Sequence, residues 1–252
     1  VAEFLLKNRL TDKQKEILDR EKHILQAARE LLAEGGYLGL TMDKIAEKIG
    51  TSKPTVYHHF SSKEEVIMGV AIEHSIERTR AFKRTVALSE IPREQIVAIG
   101  EVSEIMLPVH IETELILFTN SIRDKTSAEL QLTLIEHESE AMQVLTGIID
   151  EAIRLGDLEL PSDLRAEALL YVLWSMYLGG FTLQNVNVPL DRLEKVRFDG
   201  ATESLRWGAG VLLDGLGWRP LATEMDFGPI RRRVRTEVFA EDYLRARYAV
   251  TD

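Results

Sequence analysis

"LTMDKIAEKIGTSKPTVYHHFSSKEEVI", residues 40 to 67, decides how the rest of this chain is read. Thr41 stands where an N-cap belongs, ahead of Met42, Ile45, Ala46 and Ile49, whose i, i+3, i+4, i+7 spacing builds one apolar helix face. Gly50 stops that helix, because its φ is unrestricted. Thr51 or Ser52 caps a second short helix, with Pro54 in the first turn, where a missing N–H costs little. Ser61 and Ser62 end it, and Ser62 with Glu65 makes a capping box for a long helix from Lys63 to about Thr85.

Two short helices joined at a tight glycine turn and braced by a longer one describe a helix-turn-helix. Val56 and Phe60, four apart, turn one face of the second helix inward. Its other face then carries Lys53, Thr55, Tyr57, His58 and His59. Such a set can meet a DNA major groove: Lys53 donates to guanine or phosphate, Thr55 touches a thymine methyl or a base edge, and Tyr57 and His58 donate to phosphate or reach bases. Lys63, in the first turn of the next helix, fits the helix dipole poorly unless an anion binds there. Spacing alone also allows a solvated helical corner with no ligand.

The surrounding chain reads as all-α. A first helix runs from about Asp12 to Glu34, with Ile17, Ile24, Leu25, Ala28, Leu31 and Leu32 as its inner stripe, and Gly35-Gly36 ends it. Later helices are expected near 92–107, 109–121, 125–156, 163–184 and 201–216, punctuated by Pro92, Pro108, Gly156 with Pro161, and Pro189. A last helix is expected from Pro229 to Tyr248. There is no internal repeat.

With no cysteine among 252 residues, disulfides, thiolate metal sites and cysteine nucleophiles are excluded. The net charge of −10 argues against a polyanion partner only on average, because residues 1–63 carry eight Lys and three Arg against nine Asp and Glu. That first quarter is net positive, and the acidity belongs to the remainder. The strongest apolar stretch, Ala168 to Phe181, is interrupted by Ser175 and Gly179-Gly180, so no spanning helix and no membrane partner are expected. The first residues lack the apolar block of a signal peptide, and a cytoplasmic location is the expectation.

Leu40 to Ile67, with "ILQAARELLAEGGYLGLT" before it, resembles the N-terminal DNA-binding domain of the TetR family of transcriptional regulators. The Ala27-Ala28 pair, Gly36-Tyr37, Thr41, Ile45-Ala46, Gly50, Tyr57, Phe60, Lys63 and Glu64 carry the likeness, and "LLDGLG" at 212–217 resembles the end of the last shared helix. The resemblance implies an N-terminal extension at 1–21, a helix-turn-helix domain at 22–68, a helical effector-binding and dimerisation domain at 69–217, and a C-terminal extension at 218–252. It implies phosphate contacts from Thr41, Tyr57 and Lys63, and a recognition surface of Lys53, Pro54, Thr55 and His58, with His59 beside it. The partners so implied are double-stranded operator DNA, a second copy of the chain and a small-molecule effector that releases a repressor. No cofactor is implied.

Residues 1–21, with Lys7, Arg9, Lys13, Lys15 and Arg20, either lengthen the first helix or form a basic arm. Ile230, Val234 and Val238, spaced by four, fit a further helix packed on the acidic body, with Arg231, Arg232, Arg233 and Arg235 solvated or paired. Leu169, Leu170, Leu173, Trp174, Tyr177 and Leu178 exceed what one helix face needs, and Gly208-Ala209-Gly210 permits close helix approach, both fitting a dimer face. Met106, Phe118, Met142, Leu145 and Trp174 are candidates to line an effector pocket, or plain core. His110 with Glu112, and Glu136-His137-Glu138, lack a third ligand at fixed spacing and are weak metal or acid–base signals. An all-helical enzyme using them, and a protein-binding scaffold, are the competing readings.

Overall fold

The computed structural model describes the backbone of residues 11–117, 122, 124–185 and 201–239, and the side chains of 11–107, 122, 124–184 and 202–239. Lys7 and Arg9 lie outside these residues. Among the described residues the regular structure is helical: α1 (Asp12–Gly39), α2 (Met42–Lys48), α3 (Lys53–His59), α4 (Lys63–Val86), α5 (Pro92–Leu117), α6 (Ala128–Leu155), α7 (Ala166–Asn185), α8 (Ala201–Gly215) and α9 (Gly228–Arg233), the last continued by a π-helical turn, Val234–Val238. The fold is all-α. Two compact units are formed, Val1–His74 with Glu112–Glu136, and Ser75–Ile111 with His137–Asp252. The segment 112–136 thus groups with the N-terminal residues, which chain order alone does not suggest.

In the first unit, α1 starts at Thr11, whose hydroxyl accepts from the Gln14 N–H while the Gln14 side chain accepts from the Thr11 N–H. This reciprocal cap makes the described part of the N-terminal extension a continuation of the first helix. Ile24, Leu25, Ala28, Leu31 and Leu32 are buried as their spacing requires, whereas Ile17 stands 37% exposed. The backbone breaks at Gly36, with φ 58° and ψ −163°, a conformation essentially reserved for glycine. Thr41 then caps α2 by accepting from the Lys44 N–H.

α2 ends with the Gly50 N–H donating to the Glu47 carbonyl and the Thr51 N–H to the Ala46 carbonyl, a Schellman closure that needs the positive φ of Gly50, 65°. Of the two candidate caps for α3, Ser52 is the one used. The capping box of α4 is displaced by one residue: the Ser62 hydroxyl accepts from the Glu65 N–H, while the Glu65 carboxylate accepts from the Ser61 N–H. A Cβ on Gly69 would lie 2.8 Å from Leu25 Cδ2 and 3.3 Å from Phe60 Cε1, so this glycine is what lets α4 approach the α1–α3 layer closely.

In the second unit, Ile99, Val102, Met106, Ile148, Ile149, Leu169, Leu173, Leu213 and Trp218 form one core. Two helices expected on either side of Pro108 are one, α5, running from Pro92 to Leu117. A proline removes a single backbone bond; the buried face running through Val102, Met106 and Leu107 carries the helix to that point, and the backbone stays helical to Leu117. The small residues of α7 and α8 pack against each other within the chain: a Cβ on Gly180 would lie 2.7 Å from Leu205, and one on Gly208 2.9 Å from Met176, while Gly210 faces open space.

The described part of the C-terminal extension belongs to this core. Ile230, Val234 and Val238 are buried in it together with Phe239. Residues 240–248 of the expected last helix lie outside the described residues. Arg231, Arg233 and Arg235 are paired, one of the two expected alternatives. Glu101 and Glu104, their carboxylates 0% and 2% exposed, are held by Arg206 from α8 and by Arg231, and Arg235 adds a further bond to Glu101. Arg233 pairs with Glu237 and donates to the Leu88 carbonyl.

Candidate nucleic-acid interface

Burial of Val56 (0% exposed) and Phe60 (9%) fixes the rotation of α3. That rotation leaves Lys53, Pro54, Tyr57 and His58 exposed and Thr55 half-buried. The outward set expected from spacing is therefore brought to one side of one short helix, with a single exception. The His59 ring is 8% exposed and its Nδ1 lies 3.4 Å from a Glu21 carboxylate oxygen on α1. Spacing put His59 on the outer face, but α1 reaches back beyond the expected family boundary near Lys22 and covers it. Glu21 is the residue that sequence reasoning missed, since nothing in local periodicity links positions 21 and 59.

Thr41, Thr55 and Lys53 have internal partners that shape what they can still do. The Thr41 oxygen accepts from the Lys44 N–H, yet a hydroxyl that accepts can also donate its own proton. Thr55 and Ser52 share a hydrogen bond of 2.8 Å. Lys53 Nζ lies 2.8 Å from Asp43 Oδ2 and 6.0 Å from the Tyr57 ring centroid. The hydrogen bond to Asp43 pushes the Lys53 ammonium pKa above its usual value, so it is fully charged at neutral pH.

Lys63 departs furthest from expectation. Its Nζ sits 3.8 Å from the Tyr37 ring centroid and donates to the Tyr37 carbonyl at 3.3 Å. A cation at this helix start is accounted for by a cation–π contact and a carbonyl beyond the Gly36 break, without any bound anion. The Tyr37 hydroxyl in turn donates to Glu64 at 2.8 Å, and Lys125 approaches the same carboxylate at 3.4 Å. Burial alone would raise the Glu64 carboxyl pKa, but these two donors hold it below the ordinary value, while burial and Glu64 together push the Tyr37 hydroxyl up. The bracket ties the start of α4 to α1 and to the segment after α5. Tyr37 and Glu64 were legible as resemblance positions; Lys125 was not.

Of the effector-pocket candidates, Met106, Met142, Leu145 and Trp174 belong to the second unit. Met106 is buried in the core of the second unit and Leu145 packs against it. Met142 and Trp174 stand 43% and 39% exposed, and Phe118 lies outside the described residues. The Trp174 ring lies 6.1 Å from that of Tyr171, which is itself 65% exposed. Of the apolar surplus on α7, Leu169, Leu170, Leu173 and Tyr177 turn inward while Trp174 stays exposed; Tyr171, Val172 and Leu183 are exposed as well, joined on α8 by Trp207 and Val211. The expectation of no span-length helix is corrected here: residues 166–184 are long and apolar enough by length and composition to cross a membrane, with 22% of that stretch buried. The interruptions at Ser175 and Gly179-Gly180 do not break the helix, because Gly180 is packed tightly on Leu205.

The weak metal or acid–base signals resolve into surface pairs. Glu138 binds Arg78, and His137 lies 3.9 Å from Glu140, which binds Lys83. The side chains of His110 and Glu112 are outside those described. Among the described residues, no three His, Asp or Glu side chains converge on a point where a metal ion could sit.

A braced pair of short helices with an exposed basic, aromatic second helix defines a helix-turn-helix protein. Residues 24–68 match the family described as bacterial regulatory proteins, tetR family. The chain is 32% identical over 81 residues to the HTH-type transcriptional repressor AcnR of Corynebacterium diphtheriae, a match covering 32% of this chain and 42% of that protein. It is 43% identical over 56 residues to the HTH-type transcriptional activator FasR of Mycolicibacterium smegmatis, covering 22% and 26%. These matches thus span less than half the length of either relative. In fold, it is similar to the transcriptional regulator FadR of Bacillus subtilis in complex with stearoyl-CoA, with a TM-score of 0.60 and 21% identity over 77% of this chain and 98% of that one. Residues 24–68 thus form a TetR-family DNA-binding head, and the rest of the chain shares the fold of such regulators.

Proposed function

We propose that this chain is a homodimeric DNA-binding transcriptional repressor that a small-molecule effector releases from its operator. The observation that carries the reading is the rotation of α3, which buries Val56 and Phe60 and turns Lys53, Pro54, Tyr57 and His58 outward. These side chains, with Thr55 and the capping Thr41, supply donors and apolar contacts for base edges and phosphates. Lys63 serves mainly by holding the α1–α4 corner and adds positive potential at the same end.

The exposed apolar residues of α7 and α8 are proposed as the subunit face, because Tyr171, Trp174 and Trp207 are the side-chain types enriched at the centre of stable interfaces. Two heads on one dimer read half-sites about 34–36 Å apart, so a few ångströms of change in head spacing spoils binding. For the effector site, Met106 and Leu145 fit a pocket wall better than Met142 and Trp174, which are exposed, and Phe118 stays a candidate. That FadR of Bacillus subtilis is known with stearoyl-CoA makes a long apolar effector a reasonable first class to screen.

A gel-shift titration of the full chain against DNA flanking its own gene tests the proposal. A retarded complex that survives excess unrelated duplex is expected. Uniform binding to all duplexes, or none at low salt, sinks it.

A further inference from the structure

We propose that Asp43 is a specificity-determining residue of the DNA face: with Lys53 it forms a paired acceptor and donor that reads one G·C base pair and keeps Lys53 off phosphates. This rests on the DNA-binding reading above and goes beyond it, since Asp43 belongs to neither the recognition helix nor the positions carried over by resemblance.

Other lysines of the head are turned toward the protein. Lys44 donates to the Gly39 carbonyl, Lys48 bridges Glu30 and Glu34, and Lys63 lies on Tyr37. The Asp43–Lys53 pair differs in being open, with side chains 67% and 48% exposed and a separation of 2.8 Å. Asp43 sits in the first turn of α2 and Lys53 in the first turn of α3, so two helices present the opposite charges together. A pair this exposed adds little to stability. Its chemistry matters at a DNA surface, where a carboxylate repels phosphate and is useful only if a base offers a donor.

In the major groove G·C presents two adjacent acceptors, guanine N7 and O6, next to one donor, cytosine N4–H2. An ammonium on the acceptors and a carboxylate on the donor complete that array. A·T presents acceptor, donor, acceptor, and so separates the acceptors an ammonium needs. The same carboxylate, 2.8 Å from Nζ, competes with any phosphate for Lys53. Asp43 therefore lowers affinity for arbitrary DNA while raising discrimination at one position.

The test uses the full chain, wild type and as Asp43→Ala and Asp43→Asn, selecting from a randomised duplex library and then titrating salt on unselected duplex. Wild type is expected to enrich a G·C pair that Asp43→Ala no longer distinguishes, a loss of about ten-fold in preference at that position. Asp43→Asn, which keeps the side-chain volume, should lose it too. On unselected DNA both variants should bind several-fold more tightly, with a log affinity against log salt slope steeper by about 0.9, the signature of one added phosphate contact. In a Lys53→Ala background the same substitutions should leave the slope alone. Wild-type preference and slope in both variants would overturn the proposal. A wild-type chain that prefers no duplex is a different result, which removes the DNA reading itself and this inference with it.

Discussion

Arg206→Met puts the buried charge cluster of the second unit to a quantitative test. Arg206 Nε lies 3.0 and 2.8 Å from the two Glu104 oxygens, and Nη2 lies 2.9 Å from Glu101. Without it, Glu101 keeps Arg231 and Arg235, but Glu104 keeps only Arg231 at 3.7 Å, beyond hydrogen-bond reach. Stripping one partner from a buried pair costs about 3–5 kcal/mol, and the residual Arg231 puts this site near 3. For a chain of this size that corresponds to a fall in Tm of about 6–12 °C.

The sign of its pH dependence follows from Glu104. Burial raises its pKa most, the Arg206 hydrogen bonds pull it back, and the net direction in the intact protein is upward from 4.5. Removing Arg206 raises it further. Folding then favours the protonated carboxyl, so the Glu104 contribution falls as pH rises above its unfolded pKa. The deficit of the variant should be largest at pH 8 and shrink toward pH 5. Calorimetry at both pH values and one fixed protein concentration is the assay, with Arg154→Met, whose pair with Glu151 is exposed, as a control that should barely move Tm. A deficit under about 2 °C, or one independent of pH, refutes the reasoning.

Trp207→Asp should halve the mass measured by light scattering while leaving the helical content of the chain intact, because Trp207 is 73% exposed in the single chain; a variant that stays dimeric removes α8 from the subunit face. Lys63→Ala should weaken binding to every duplex and also lower stability by about 1 kcal/mol, through loss of the contact with the Tyr37 ring, and Lys63→Arg should restore the stability. Weaker DNA binding with unchanged stability would make Lys63 a phosphate ligand alone.

The head was legible in the sequence because its signals are local. Thr41, Gly50, Ser52 and Ser62 each act on backbone groups a few residues away, and Val56 with Phe60 fixes the rotation of α3 by spacing alone. What periodicity could not show were partners far apart in the chain: Glu21 covering His59, Asp43 beside Lys53, Lys125 on Glu64. Pro108 reads as a break because a proline is a strong local signal, whereas α5 runs through it to Leu117. For the arginines after Ile230 the sequence left solvated and paired arrangements open, and the partners of Arg231 and Arg235, Glu101 and Glu104, have no distinguishing mark until their burial is known. The proposed effector pocket is indistinct for a related reason, since Met106 and Leu145 look the same in sequence whether they line a cavity or fill a core.

The central claim, that α3 reads a specific DNA sequence, is tested most directly by the ratio of affinities of the full chain for its best selected duplex and for a scrambled duplex of equal length, measured by fluorescence anisotropy at physiological salt. The account expects a ratio of at least about 10³, collapsing when Tyr57 and His58 are both changed to Ala. Equal affinities for the two duplexes would contradict it.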